Sequence, residues 1–331
     1  MSITVLNPHR RDLLAAGLAG AAVLALPRSS LGVGSLRVGS LKFGSLGWLL
    51  ETVIAEGLDK SHGFKLDLVD MASTGAAKIG LLSGDSDVIV SDWPWAMRQR
   101  SEGEAVQFAP YSSALGAVMV APDSPIKSVA DLEGKRLGIA GTALDKSWLL
   151  LRAYARKQTG RDLADEVSPV FGAAPLIAEQ IRQGRVDAAL NFWTFSARLQ
   201  GSGYRALISM ADILSGLGIT PVPSLVGFIW DEKKTVGKKQ EIGMFLSAIS
   251  AANAVLAKSD DAWARLKPRM RVKSDAEFDA LKAYYRSGIP EGWTSAQTAS
   301  AEKLFGLLVE LGEKTVVGSD TRFDPALFHG A

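Results

Sequence analysis

The sequence predicts an α/β protein built from two similar lobes, each a mostly parallel sheet flanked by helices, with a cleft between them. Two observations predict it. The first is an internal repeat at an offset of one hundred residues: Gly84, Asp87, Trp93, Arg98 and Gly103 recur as Gly184, Asp187, Trp193, Arg198 and Gly203, and Trp48-Leu49-Leu50 recurs as Trp148-Leu149-Leu150. A repeat of that length is a whole domain used twice. The second is a regular alternation of strand-like and helix-like segments inside each copy, the pattern of parallel sheets covered by helices.

In the first copy the expected elements are a strand at 36–41, a helix at 46–60 ending before Gly63, a strand at 64–69, a helix at 75–82, a strand at 87–91, a short helix at 94–101 and a strand at 106–110. The second copy reads as a strand at 136–140, a helix at 146–158, a strand at 167–171, a helix at 175–183, a strand at 187–190, a helix at 194–199 and a strand at 204–208. The stretch 111–116 and the apolar run after it predict one crossing between lobes; Pro221-Val222-Pro223-Ser224 and the apolar run 225–230 predict a second. The chain then turns helical at 238–258, 260–266, 274–286 and 295–311, with Ser274 and Glu277 at capping-box spacing. The expected organisation is 1–35 as export signal and flexible start, 36–112 as lobe 1, 113–224 as lobe 2, and 225–331 as a return strand with helices packing on the lobes.

The N-terminus carries Arg10-Arg11 ahead of an apolar run ending near Leu26-Pro27, the layout of an export signal of twin-arginine type. Positions 13–26 are too short to span a membrane comfortably, and no later stretch is read as approaching transmembrane length. The 331 residues hold 37 Lys and Arg against 35 Asp and Glu. Loss of the first 28 residues removes Arg10, Arg11, Arg28 and Asp12 and leaves the remainder neutral, without a nucleic-acid footprint. With no cysteine, disulfides and thiolate metal sites are excluded. His9, His62 and His329 are the only histidines and are scattered, which argues against histidine acid–base catalysis.

Ligands in open α/β sheets bind beyond the carboxyl ends of the strands. Six loops fall there: 42–48, 70–75 and 91–93 in the first lobe, and 141–147, 172–175 and 191–194 in the second. They are rich in small and hydroxyl residues and lead into helices, whose free N–H groups and positive ends suit anions. The candidate ligand-binding residues are Lys42, Ser45, Trp48, Ser73, Thr74, Asp92, Trp93, Thr142, Asp145, Lys146, Ala174, Asn191 and Trp193. Several have structural alternatives: Ser73, Thr74, Thr142 and Asp145 are ordinary helix caps, Trp93 and Trp193 could equally be core, and Arg98 and Arg198 read as structural ion pairs. Asp70, Asp92 and Asp145 could hold a cation if they converged. A Lys146-Ser147 nucleophile pair is disfavoured because helix neighbours do not face each other.

The stretch Asp123-Ser124-Pro125-Ile126, with Asp131-Leu132-Glu133-Gly134-Lys135 after it, and Gln183-Gly184-Arg185-Val186-Asp187-Ala188 resemble periplasmic solute-binding proteins of ABC importers, within the group that binds nitrate, taurine, aliphatic sulfonates and thiamine-precursor pyrimidines. The resemblance covers roughly residues 36–260. It implies a type II periplasmic-binding-protein fold that closes on a small molecule and docks on a membrane permease with its ATPase. The expected protein is a monomeric, periplasmic, non-enzymatic binding component with no cofactor and no resident metal. Its mature chain would neither insert in a membrane nor bind nucleic acid. The ligand expected is a small organic anion or zwitterion, taurine or another sulfonate first, with a pyrimidine-type heterocycle or a metal complex as alternatives. Asn191-Phe192-Trp193-Thr194 stands where many relatives have Trp-Asp-Pro.

Overall fold

The computed structural model describes residues 34–41, 44–318 and 321–330; the export segment and Lys42 lie outside them. The first lobe runs β1 (Gly34–Leu41), α1 (Ser45–Ala55), α2 (Leu58–Ser61), β2 (Phe64–Met71), α3 (Thr74–Ser83), β3 (Val88–Asp92), α4 (Trp93–Ser101) and β4 (Val106–Ser112). After the crossing come β5 (Ala117–Val120), β6 (Arg136–Ala140), α5 (Lys146–Thr159), α6 (Leu163–Glu166), β7 (Ser168–Gly172), α7 (Ala174–Arg182), β8 (Ala188–Asn191), α8 (Trp193–Gly201), β9 (Arg205–Ser209) and α9 (Met210–Gly216). The chain returns through β10 (Val226–Asp231) and ends in α10 (Lys239–Lys258), α11 (Asp260–Met270), α12 (Asp275–Ser287) and α13 (Ser295–Val317). The expected helix at 46–60 is two helices, because Gly57 takes a left-handed φ of 64° between α1 and α2. Helices α6 and α9 are additional to the sequence reading.

The two five-stranded sheets have strand orders β2-β1-β3-β10-β4 and β7-β6-β8-β5-β9. In each, the first three strands are parallel and the fourth is antiparallel to its neighbours. That fourth strand arrives from the other lobe: β5 follows the first lobe and completes the second sheet, and β10 follows the second lobe and completes the first. The two crossings are tied where the hydroxyls of Ser113 and the buried Ser224 meet at 2.7 Å. At Gly116 no side chain fits, since a Cβ would lie 1.9 Å from the Asn191 carbonyl oxygen. This close approach lets the first crossing enter the second sheet.

The repeat is visible bond for bond. The Asp87 carboxylate accepts the Arg37 backbone N–H at 2.8 Å and the Arg37 guanidinium at 2.7 Å. The Asp187 carboxylate accepts the same two groups of Arg136 at 2.8 and 2.7 Å. Each pair clamps the start of the first parallel strand to the start of the third.

The C-terminal helices bridge the halves. Helices α10 and α11 pack on α1, α12 packs on α8, and α13 contacts both α4 and α5. With the turn before it, α10 forms a 23-residue stretch (236–258) holding an 18-residue window of mean hydropathy 1.2, so by length and composition one later stretch does reach transmembrane length, contrary to the sequence reading. Here its residues Ile242, Phe245, Ala248, Ile249, Ala252 and Leu256, spaced at helical intervals, are buried in the first lobe's core. The Ser274 hydroxyl caps α12 by accepting the Glu277 N–H. Glu277 does not close the capping box; its carboxylate accepts the Lys273 N–H and pairs with Arg198 at 2.7 Å.

Glu277 is 2 % exposed, so loss of its partner leaves a buried, uncompensated charge. Arg198→Ala is expected to destabilise the chain by about 3 kcal/mol in urea unfolding. A loss below about 0.5 kcal/mol would show that the pair behaves as an ordinary surface contact.

Candidate functional site

Strand β3 ends in Asp92, and that position determines its role. Its carboxylate caps α4 by accepting the Trp95 N–H at 2.9 Å. From the first lobe the Lys78 ammonium, on α3, lies 3.6 Å from Asp92 Oδ2. From the second lobe the Lys146 ammonium, at the first residue of α5, lies 3.1 Å from Asp92 Oδ1. One carboxylate thus joins two cations from opposite sides of the cleft. All three side chains are 24–29 % exposed. Lys78 also sits 5.0 Å from the ring centre of Trp95, a cation–π contact.

Burial alone would raise the Asp92 pKa; the charges of Lys146 and Lys78 and the Trp95 N–H more than reverse this and hold it below its ordinary 3.8. Burial lowers the Lys78 pKa against the pull of Asp92. Asp145 moves the other way: burial raises it despite the Ser147 N–H and the charge of Lys146. In formal charge the Lys78–Asp92–Lys146 triad has two cations to one anion, and it sits at the N-termini of α4 and α5.

The other sequence candidates divide. Ser73 is an exposed cap of α3, accepting the Ala76 N–H, and Thr74 beside it is exposed. Asp145 caps α5 through the Ser147 N–H at 2.9 Å. Exposed Thr142 accepts the Leu144 N–H within its loop. Ser45 is buried and accepts the Tyr111 hydroxyl at 2.7 Å. The amide of buried Asn191 is engaged at both ends, donating to the Ala174 carbonyl and accepting the Phe192 N–H, so Asn191 and Ala174 tie the starts of α7 and α8 together. Trp48 and Trp193 meet edge to face across the lobes at 6.1 Å, and Trp193 stacks on Tyr284 at 6.4 Å.

Trp93 is corrected from cleft wall to core. It is fully buried, with its ring against Phe305, Phe323 and Phe328. The C-terminal segments cover this face of α4, which the first lobe's own sequence does not disclose. The cation-site alternative also fails: among the described residues no group of three His, Asp or Glu side chains gathers as a metal site. Sequence reasoning missed Lys78 and Trp95. Lys78 had a signal, being the one charge in the ten-residue helix α3.

Exposed apolar side chains lie at the carboxyl ends of the second lobe's strands: Leu144 at 49 % and Phe192 at 47 %, with Phe171 and Leu176 beside them. Phe192 occupies the position equivalent to Asp92 in the repeat. A separate cavity of about 260 Å³ lies at the far end of the same sheet, lined by Ser124, Ile126, Lys135 and Asp187 among others.

Two lobes are joined by two tied crossings, with charged groups converging between them. The chain belongs to the NMT1/THI5-like family, whose profile matches residues 54–262. No curated protein matches it. Its fold is similar to that of the periplasmic aliphatic sulphonate binding protein SsuA from Escherichia coli, at 20 % identity, covering 86 % of this chain and 95 % of that one, with a TM-score of 0.66. It is also similar to the alkanesulfonate-binding protein SsuA from Xanthomonas axonopodis pv. citri bound to MOPS, at 17 % identity, covering 86 % and 96 %, with a TM-score of 0.62. The desulfurization enzyme DSZB has the same fold at 15 % identity, covering 84 % and 92 %, with a TM-score of 0.58. At these identities the likenesses establish the fold.

Two outcomes test the site's anatomy. A depressed carboxylate pKa stabilises the fold above the unfolded value and loses that contribution as pH falls through the folded one. Asp92→Asn is therefore expected to lower the thermal midpoint near neutral pH, with the gap to wild type closing as the pH falls below the ordinary carboxylate value of 3.8 and the folded-state carboxylate protonates. A gap unchanged with pH would show that the Asp92 charge does not hold the lysines. Trp93→Ala is expected to cost about 3–5 kcal/mol in chemical unfolding, as core truncation of a large ring does; a loss under about 1 kcal/mol would place the ring outside the core.

Proposed function

We propose that the chain is the substrate-binding component of an ABC importer and captures a small organic anion between its lobes, a sulfonate being the class that fits best. The observation that carries this reading is the convergence of Lys78 and Lys146, from opposite lobes, on the single carboxylate of Asp92. Asp92 holds both ammonium groups in place but neutralises only one. An arriving anion can be held by both lysines and by the adjoining helix N-termini, favouring the closed form. The exposed Leu144 and Phe192 favour an organic anion over nitrate. The sulfonate assignment draws support from the aliphatic sulphonate and alkanesulfonate binding proteins that share the fold.

This geometry refines the zwitterion expectation. A ligand ammonium would compete with two lysines for Asp92, so plain alkanesulfonates rank above taurine. A pyrimidine would need an open aromatic face; Trp193 is stacked on Tyr284 and Trp95 lies under Lys78, which leaves exposed Phe192 as a ring open to it. Binding without turnover is the proposed activity, although a desulfurization enzyme shares the fold. The Lys146 ammonium is held by Asp92, and the neighbouring Ser147 N–H by Asp145. Delivery to a permease and its ATPase, in the periplasm after twin-arginine export, completes the proposal.

The test is calorimetric titration and thermal shift with ethane- and butanesulfonate, taurine, nitrate, hydroxymethylpyrimidine and divalent metals. A ligand at a hundred times its Kd should add about 2.7 kcal/mol of stability. Alkanesulfonates are expected to bind, and Lys78→Met and Lys146→Met each to weaken them at least about tenfold, or about 1.4 kcal/mol. Binding of the heterocycle or metals alone, or sulfonate binding indifferent to both lysines, would contradict the reading.

A further inference from the structure

The cavity at the base of lobe 2 lies away from the cleft, where β6 and β8 begin. Its walls come from stretches 121–135 and 181–187, which the cleft does not use. The internal repeat shows what is unusual about it. In lobe 1, Asp87 has a second cation besides Arg37: the Lys238 ammonium donates to Oδ2 at 2.6 Å, and Asp87 is only 4 % exposed. Lys238 is delivered by the chain that follows β10. In lobe 2 the equivalent strand is β5, and the chain that follows it lines the cavity with Ala121, Ser124, Ile126 and Lys135, whose charge acts on Asp187 without the direct contact that Lys238 makes on Asp87. Asp187 keeps its arginine, Arg136, but is 33 % exposed and faces the cavity.

The cavity offers a cation as well as a carboxylate. Lys135 lines it too, so a simple cation at Asp187 would meet a like charge. A ligand with an anionic end as well would satisfy both groups. Between them Ile126, Ile181 and Val186, all nearly buried, provide an apolar floor. About 260 Å³ accommodates a molecule of amino-acid size. We propose that this cavity is a second ligand site, for a small aliphatic amino acid. Its ammonium replaces on Asp187 the contact that Lys238 makes on Asp87, its carboxylate pairs with Lys135, and its chain lies on the apolar floor. This site is separate from the sulfonate reading and does not rest on it.

The test uses saturation-transfer NMR and calorimetry on the full chain, with leucine and 5-aminopentanoate as probes and pentylamine and pentanoate as single-charge controls. The expected result is saturable binding of an amino acid, with both controls at least about tenfold weaker, or about 1.4 kcal/mol. Ala121→Leu, which fills the cavity without touching Asp187, and Lys135→Met should each reduce that binding at least about tenfold, while Lys146→Met in the cleft leaves it unchanged. No saturable binding by the wild-type chain would overturn the proposal. So would amino-acid binding that Lys146→Met abolishes and both cavity variants spare, which would assign it to the cleft. Sulfonate binding measured in parallel keeps the two readings distinct: its retention in Ala121→Leu also shows that the variant is folded.

Discussion

The charge arrangement at Asp92 is the constraint around which the cleft is organised. A carboxylate at the end of a parallel strand would ordinarily cap its helix and face water. Here it also gathers one lysine from its own lobe and one from the other. Two partly buried ammonium groups without it would repel each other and be costly to desolvate. With it, the lobes meet on an arrangement with two cations to one anion, which suits the anion capture proposed. The depressed pKa of Asp92 is a consequence of that arrangement, whereas the Lys78 pKa is lowered by burial against the pull of Asp92.

Duplication explains how the chain builds such a site, and divergence explains its chemistry. The Arg–Asp clamps of the two lobes are the same bond for bond, and both sheets take their fourth strand from across the hinge. Differences between the copies carry the proposed function. Position 92 is a carboxylate, and its counterpart Phe192 is an exposed ring. The result is a cleft charged on one wall and partly apolar on the other. At the opposite end of the second sheet, Lys135 acts on Asp187 by charge but does not close the clamp as Lys238 does in the first lobe, and a cavity remains.

The architecture was legible because it rests on periodic patterns and on the repeat. Strand β6 falls on the residues that the sequence indicates, and most helices agree to within a residue or two. The first long helix breaks at Gly57, where a left-handed turn interrupts an otherwise continuous pattern. The site was less legible. Trp93 and Trp193 are equivalent in the repeat and both open a helix, yet Trp93 is sealed by α13 and the segment after it, while Trp193 is half-covered by α12. That difference is decided by residues more than eighty positions away, which no local pattern reveals. Asp92 and Lys146 were identifiable as strand-end and helix-start residues. Lys78 lies one turn inside its helix, and only the tertiary fold turns it toward Asp92.

The most direct measurement is a crystal structure of the chain grown with a brominated alkanesulfonate, located by anomalous scattering of the bromine. The account expects the sulfonate oxygens within hydrogen-bonding distance of both Lys78 and Lys146, with the bromine toward Leu144 and Phe192. A ligand found outside the cleft, or in it but touching neither lysine, would contradict the account.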